Sequence, residues 1–68
     1  MQLWEYANVL IRNNKVDQVP IVDSANITLG MSADNCLTEF GNSGWELIGT
    51  ASSTESYYRL FFKRPKQH

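Results

Sequence analysis

The segment LTEFGNSGWEL, residues 37–47, combines the end of a helix, a glycine stop and the start of a strand. Its first apolar residues, Leu37 and Phe40, have the three-residue spacing of one helix face. Gly44 is well placed for the left-handed backbone conformation in which helices often end. Trp45 and Leu47 are then the first apolar residues of a strand. We therefore predict a helix that stops at this glycine and a strand that follows at once.

Upstream of this segment, the helix is predicted to begin at Ala33 and to span residues 33–43. Ser32 is a suitable N-cap, because its hydroxyl can accept a hydrogen bond from a free amide of the first turn. Asp34 in that turn suits the positive end of the helix dipole. Gly41 inside the helix costs up to about 1 kcal/mol relative to alanine, so we expect a backbone or a large ring to lie close to it. The predicted sheet-facing stripe is Ala33, Cys36, Leu37, Phe40, Gly41 and Gly44.

Downstream of it, residues 45–52 and 57–64 are predicted to form two antiparallel strands joined by a four-residue loop. The predicted register sets unlike charges opposite each other and apolar side chains opposite each other. A slip of one residue would lose these matches. The matched pairs are Glu46 with Lys63, Leu47 with Phe62, and Ile48 with Phe61.

This register gives the hairpin two faces. We assign the first to the helix, and its members are Trp45, Leu47, Gly49, Ala51, Tyr58, Leu60 and Phe62. The second mixes three large apolar side chains with charges, and its members are Glu46, Ile48, Thr50, Tyr57, Arg59, Phe61 and Lys63. We predict that an interface or a ligand groove on this second face would be formed by six residues: Glu46, Ile48, Tyr57, Arg59, Phe61 and Lys63.

At the N-terminal side, residues 3–11 are predicted to form a strand, because they are rich in β-branched and aromatic residues and a polar turn signal follows. Both of its alternating residue sets are mostly apolar, as in a strand that is covered on both faces. Residues 12–31 are predicted to be a variable loop or an edge strand. Within them, 19–22 is a candidate short strand restricted to an edge by Pro20, which cannot donate a ladder hydrogen bond, and 23–26 is a candidate turn.

The fold class that follows is a single α+β domain, residues 1–68, with one helix packed on one face of a three- or four-stranded antiparallel sheet. A chain of 68 residues buries only about 60% of its unfolded surface, so its core is thin. One cysteine and one histidine can form neither an internal disulfide nor a structural zinc site, and we expect no metal and no cofactor. Since one helix cannot cover both faces, we expect a second copy to cover the other, in a homodimer or a higher oligomer.

Membrane and export signals are missing from this sequence. No apolar run approaches the roughly 20 residues of a membrane span, and Glu5 stands where a signal peptide would be basic or apolar. We therefore expect a cytoplasmic protein with no membrane partner.

Nucleophile motifs are missing as well. Cys36 lies near the helix N-terminus, where a thiolate is favoured, but no histidine is placed to act as its base, and we expect a buried structural cysteine. No serine lies in a nucleophile motif. The predicted function is a non-catalytic, homo-oligomeric binding or interaction module. The alternative is a small enzyme whose pocket forms between subunits, with Tyr6, Tyr57 or Cys36 as its reactive group.

Charge is unevenly distributed along the chain. All seven acids precede Tyr58, whereas four of the six bases follow it. Residues 57–64 interleave aromatic and basic side chains, as in sheets that stack single-stranded bases. In the predicted register, however, only Tyr57 and Phe61 are free to stack, and the rest of the chain is acidic. Single-stranded nucleic acid is therefore an alternative partner and not the expected one.

The conspicuous motifs are Trp4-Glu5-Tyr6, the segment 37–47 and Phe61-Phe62-Lys63-Arg64-Pro65. Together they resemble a family of small bacterial proteins catalogued as domain of unknown function 4177, whose pattern runs W-E-Y, L-N-E-L-G-x-x-G-W-E-L and F-K-R. The resemblance spans about residues 3–11 and 34–65, and residues 13–31 are longer and more irregular than it implies. It implies the order strand, helix, strand, strand. It implies no reaction, cofactor or site residue.

Overall fold

An antiparallel sheet with a single helix on one face forms the described part of the protein, which in the computed structural model comprises residues 1–18, 26–54 and 56–66. The predicted α+β class is confirmed. The sheet has four strands in the order β2-β1-β4-β3. The elements are β1 (Trp4–Arg12), β2 (Lys15–Gln18), α1 (Ala33–Asn42), β3 (Glu46–Thr54) and β4 (Tyr57–Pro65).

The centre of the sheet is the pair β1 and β4. Their pairing runs without irregularity from Trp4 opposite Pro65 to Arg12 opposite Tyr57. A central strand has a neighbour on each side and contributes side chains to both faces, which accounts for the two-sided apolar pattern of residues 3–11.

A tight turn joins β1 to β2. Asn13 and Asn14 have φ values of 51° and 64°, and two such residues form the turn that suits a two-residue hairpin. The strand β2 is an edge strand at residues 15–18, and it precedes the segment 19–22 for which the sequence suggested a short strand. The candidate strand 19–22 and most of the candidate turn 23–26 lie outside the described residues.

The hairpin of β3 and β4 follows the predicted register only at its start. Glu46 lies opposite Lys63 as predicted, and Leu47 lies opposite Phe62. The ladder then shifts, and Gly49 lies opposite Phe61. The predicted pair of Ile48 with Phe61 is therefore wrong, because a β-bulge adds one residue to β3 at this point.

The bulge exchanges the two faces of β3 beyond residue 48. Gly49 and Ala51, which were assigned to the helix side, share a face with Phe61 and Arg59 instead. Thr50, which was assigned to the second face, lies opposite Leu60 on the helix side. The prediction for these three residues is wrong, since one extra residue inverts every later side chain in a strand.

Both ends of α1 have the local geometry that the sequence indicates. The Ser32 hydroxyl accepts a hydrogen bond from the Asn35 amide at 3.2 Å. At the other end Gly44 has a φ of 87°, and its amide donates to the Gly41 carbonyl at 3.0 Å. The Trp45 amide donates to the Phe40 carbonyl at 2.9 Å, which completes the two-bond glycine cap.

Aromatic rings form the middle of the core between α1 and the sheet. Phe40 stacks on Phe62 with ring centroids 4.0 Å apart, and Trp45 meets Phe40 edge-on at 6.0 Å. Leu37 packs against this core and is partly buried. A Cβ atom on Gly41 would meet nothing within 4 Å, so the expectation of a ring or backbone close to it is wrong. The fully buried members are Phe40, Phe62, Ile11, Val9 and Cys36.

Across the described ranges, no helix is both long enough and apolar enough to cross a membrane.

Candidate binding face of the sheet

The sheet face opposite α1 is called the open face below. The pairing of the strands defines its members, because directly opposed residues project to the same side. Those members are Trp4, Tyr6, Asn8, Leu10 and Arg12 of β1, Lys15 and Gln18 of β2, Tyr57, Arg59, Phe61, Lys63 and Pro65 of β4, and Glu46, Gly49, Ala51 and Thr54 of β3.

Large aromatic rings are exposed on this face. Trp4 is 40% exposed, Tyr6 is 66% exposed and Tyr57 is 37% exposed, while Phe61 is half-buried between them. Rings of this size usually bury most of their area in a folded domain. Several exposed rings on one face of so small a sheet are a feature of interaction surfaces.

Two cations of the open face are held in place by its other side chains. The Lys63 ammonium lies over the Trp4 ring, 4.3 Å from its centroid. Arg59 donates from Nη1 to the Asn8 Oδ1 at 2.7 Å. A guanidinium has five donor hydrogens, so this bond fixes Arg59 and leaves further donors for a partner.

A shallow cavity lies at the end of the open face where β3 turns into β4. Its volume is about 270 Å³. Leu10, which is 4% exposed, is its apolar base, and Arg59 supplies its charge. The full lining is Leu10, Ala51, Ser52, Tyr57, Tyr58, Arg59 and Phe61.

Arg64 belongs to the other face and has its own partners there. Its Nε donates to Glu5 Oε1 at 2.5 Å, and its Nη1 donates to the Ser43 carbonyl at 3.1 Å. Its guanidinium also lies 4.4 Å from the centroid of the Trp45 ring. This arrangement ties β1, β4 and the end of α1 together, so it is part of the scaffold and not of the binding face.

Five of the six residues predicted for the second face lie on the open face. Tyr57, Arg59 and Phe61 line the cavity together, whereas Glu46 and Lys63 lie at the opposite end. Ile48 lies in the bulge and is 48% exposed.

None of the six predicted site residues belongs to β1, which forms a large part of this face. Trp4, Tyr6 and Leu10 alternate along that strand, so the even-numbered positions were the available signal. What the sequence did not reveal was that β1 lies next to β4.

One copy of the chain does not bring together the three reactive groups considered for an enzyme, which are Tyr6, Tyr57 and Cys36. Tyr6 lies opposite Lys63, which is six positions along β4 from Tyr57, a distance of about 20 Å at 3.4 Å per residue. Cys36 is fully buried on the helix side, and burial raises the pKa of its thiol from 9.0 to about 11. The thiol is therefore protonated and shielded at neutral pH. Among the described residues, no three His, Cys, Asp or Glu side chains cluster as a metal site would need.

The chain matches no protein-family model, no curated protein and no solved structure at a significant level.

Proposed function

We propose that this protein is a non-catalytic interaction module whose open face binds a second copy of the same chain. The observation that carries the proposal is the exposure of Trp4, Tyr6 and Tyr57 on the side of the sheet opposite α1. In a chain with so thin a core, burial of these rings in a dimer adds the apolar area that the monomer lacks.

The size of the face predicts a dimer that dissociates on dilution. The strands β1 and β4 are nine residues long, and at 3.4 Å per residue and 4.8 Å between strands the open face has a planar area on the order of 500 Å². Standard stable interfaces bury about 800 Å² of accessible surface on roughly 20–30 residues per partner, which is more residues than the open face has. We therefore expect monomer and dimer to coexist within the concentration range of ordinary solution experiments.

The edges of the sheet are less suited to association than its face. The pairs β1–β2 and β3–β4 each contain a register irregularity, whereas the central pair contains none. Bulges near a sheet edge hinder the addition of another strand. This distribution favours stacking of two faces over growth of the sheet at an edge.

The test is molar mass in solution, measured by light scattering over a concentration series. We expect a wild-type dimer that dissociates on dilution, and a monomer for Phe61→Glu at every concentration. Tyr6→Glu is the second variant, because its ring is 66% exposed and the change does not disturb the core. Leu29→Glu is the matched control, since Leu29 is 68% exposed but is not part of the open face. A wild-type monomer at every concentration would refute the proposal.

A second candidate function is binding of single-stranded nucleic acid on the same face. The observation in its favour is that Trp4 and Tyr6 join Tyr57 and Phe61, so four rings alternate with the cations of β4. Stacking on such rings together with contacts to phosphates would produce salt-sensitive affinity. This candidate predicts that an oligonucleotide quenches tryptophan fluorescence, and that Lys63→Glu weakens its binding. Absence of binding at low salt would eliminate it.

A further inference from the structure

We infer that the two copies stack about a two-fold axis that runs parallel to the strands, midway between β1 and β4. This inference rests on the proposed dimer and adds its geometry. It follows from how the open-face residues of the two central strands are paired.

Across β1 and β4, four successive rows of the open face each combine one apolar or aromatic side chain with one polar or cationic side chain. The rows are Tyr6 with Lys63, Asn8 with Phe61, Leu10 with Arg59, and Arg12 with Tyr57. The row of Asn8 and Phe61 lies at the middle of both strands, since it is the fifth of nine pairs. The cations therefore lie on both sides of the centre.

Two identical sheets that stack with their strands aligned can be related by a two-fold axis in either of two orientations. Packed sheets keep their strand directions within about 30°, so the axis between them runs nearly parallel or nearly perpendicular to the strands. The parallel axis keeps each row in place and exchanges β1 with β4. The perpendicular axis keeps each strand above itself and reverses the order of the rows.

The parallel axis gives every open-face cation of the central strands an apolar or aromatic counterpart. Lys63 faces Tyr6 of the second copy, and Arg12 faces Tyr57 of the second copy. Arg59 faces the second copy's Leu10, an apolar residue that is 4% exposed, so Arg59 meets no cation there. Cations over aromatic rings are attracted, more strongly so when water is excluded.

The perpendicular axis opposes like charges. Reversal about the central row sets Lys63 against Arg59 of the second copy. Two cations that lose water while facing each other are unfavourable, and such pairs act against the arrangement that creates them. Charge complementarity therefore selects the parallel axis.

The experiment uses variants that each carry one added cysteine and cross-links them with a short thiol-reactive linker, since stacked sheets lie about 10 Å apart. Asn8→Cys is mixed with Phe61→Cys, and one of the two is labelled with ¹⁵N so that mass spectrometry separates the three possible products. We expect the product between positions 8 and 61 to exceed 8–8 and 61–61, because the parallel axis sets 8 directly opposite 61, whereas 8–8 and 61–61 are offset sideways by about 4.8 Å. The wild type is the reagent control, because Cys36 is fully buried.

A second pair keeps the test independent of the Phe61 ring. Tyr6→Cys mixed with Lys63→Cys is expected to give the product between positions 6 and 63. Excess of 8–8 or 61–61 products would overturn the parallel axis while leaving the dimer intact. Absence of the expected products in mixtures that are dimeric by light scattering would also overturn it. A wild-type monomer at every concentration would instead refute the dimer on which the inference rests.

Discussion

Because Cys36 is buried, the free energy of unfolding should depend on pH. The unfolded chain ionises this thiol near pH 9, whereas the folded protein keeps it protonated up to about pH 11. The free energy of unfolding is therefore unaffected by this group below pH 9 and falls as the pH rises to about 11, by an amount on the order of 1–3 kcal/mol. Urea titrations at pH 8 and pH 10.5 measure the loss. Cys36→Ala should lose less over the same interval, and equal losses would contradict the assignment.

Arg64 is the residue whose charge supports the scaffold. Arg64→Lys keeps the charge but cannot reproduce the bonds to both Glu5 and the Ser43 carbonyl or the contact with the Trp45 ring. We expect a loss of about 1–2 kcal/mol in the free energy of unfolding. The matched control is Arg59→Lys, which removes one exposed bond to a side-chain oxygen and should cost under about 0.5 kcal/mol. Equal costs would show that the Arg64 contacts add nothing.

At the scale of the element, the two glycines near the end of α1 have opposite roles. Gly44 has a φ of 87°, where a β-branched residue is strained, so Gly44→Val should cost about 1–2 kcal/mol or more. Gly41 has open space around its Cα within the helix, so Gly41→Ala should add up to about 1 kcal/mol. Thermal unfolding of both variants measures the contrast. Unchanged stability of Gly44→Val would mean that the cap contributes little.

The sequence predicts some elements better than others. An element is predicted well when residues close to it in the sequence determine where it begins and ends. Ser32 and Gly44 determine the two ends of α1 through bonds to residues three or four positions away, so both ends could be predicted. The bulge at Ile48 could not be inferred from charge pairing, because Glu46 and Lys63 fit either continuation. An isolated glycine inside a strand is a recognised sign of a bulge, and Gly49 was that sign.

At the scale of the whole molecule, the candidate site depends on a pairing that no local pattern encodes. The hairpin of β3 and β4 supplied Tyr57, Arg59 and Phe61 from the sequence alone. Trp4 and Tyr6 joined the same surface only because β1 lies next to β4, and that contact joins opposite ends of the described chain. The sequence therefore predicted five residues of the hairpin on the open face and none of β1.

Stability of the whole molecule should depend on protein concentration if the open face binds a second copy. Association that occurs only in the folded state raises the unfolding temperature as concentration rises. We expect the Tm of the wild type to increase between 5 µM and 500 µM, on the order of a few degrees. Tyr6→Glu should show no such increase, whereas the control Leu29→Glu should follow the wild type. A wild-type Tm independent of concentration would contradict association.

The central position of β1 and β4 also has a consequence for how quickly the protein folds. Glu5 and Arg64, which are bonded in the native state, are 59 residues apart, and Asn8 and Arg59 are 51 apart. Loops of that length must close before the middle of the sheet exists, and chains dominated by such distant pairings fold in milliseconds to seconds. The helix and the hairpin of β3 and β4 are contiguous in sequence and can form first. We therefore expect closure of these long loops to limit the folding rate, despite the small size of the protein.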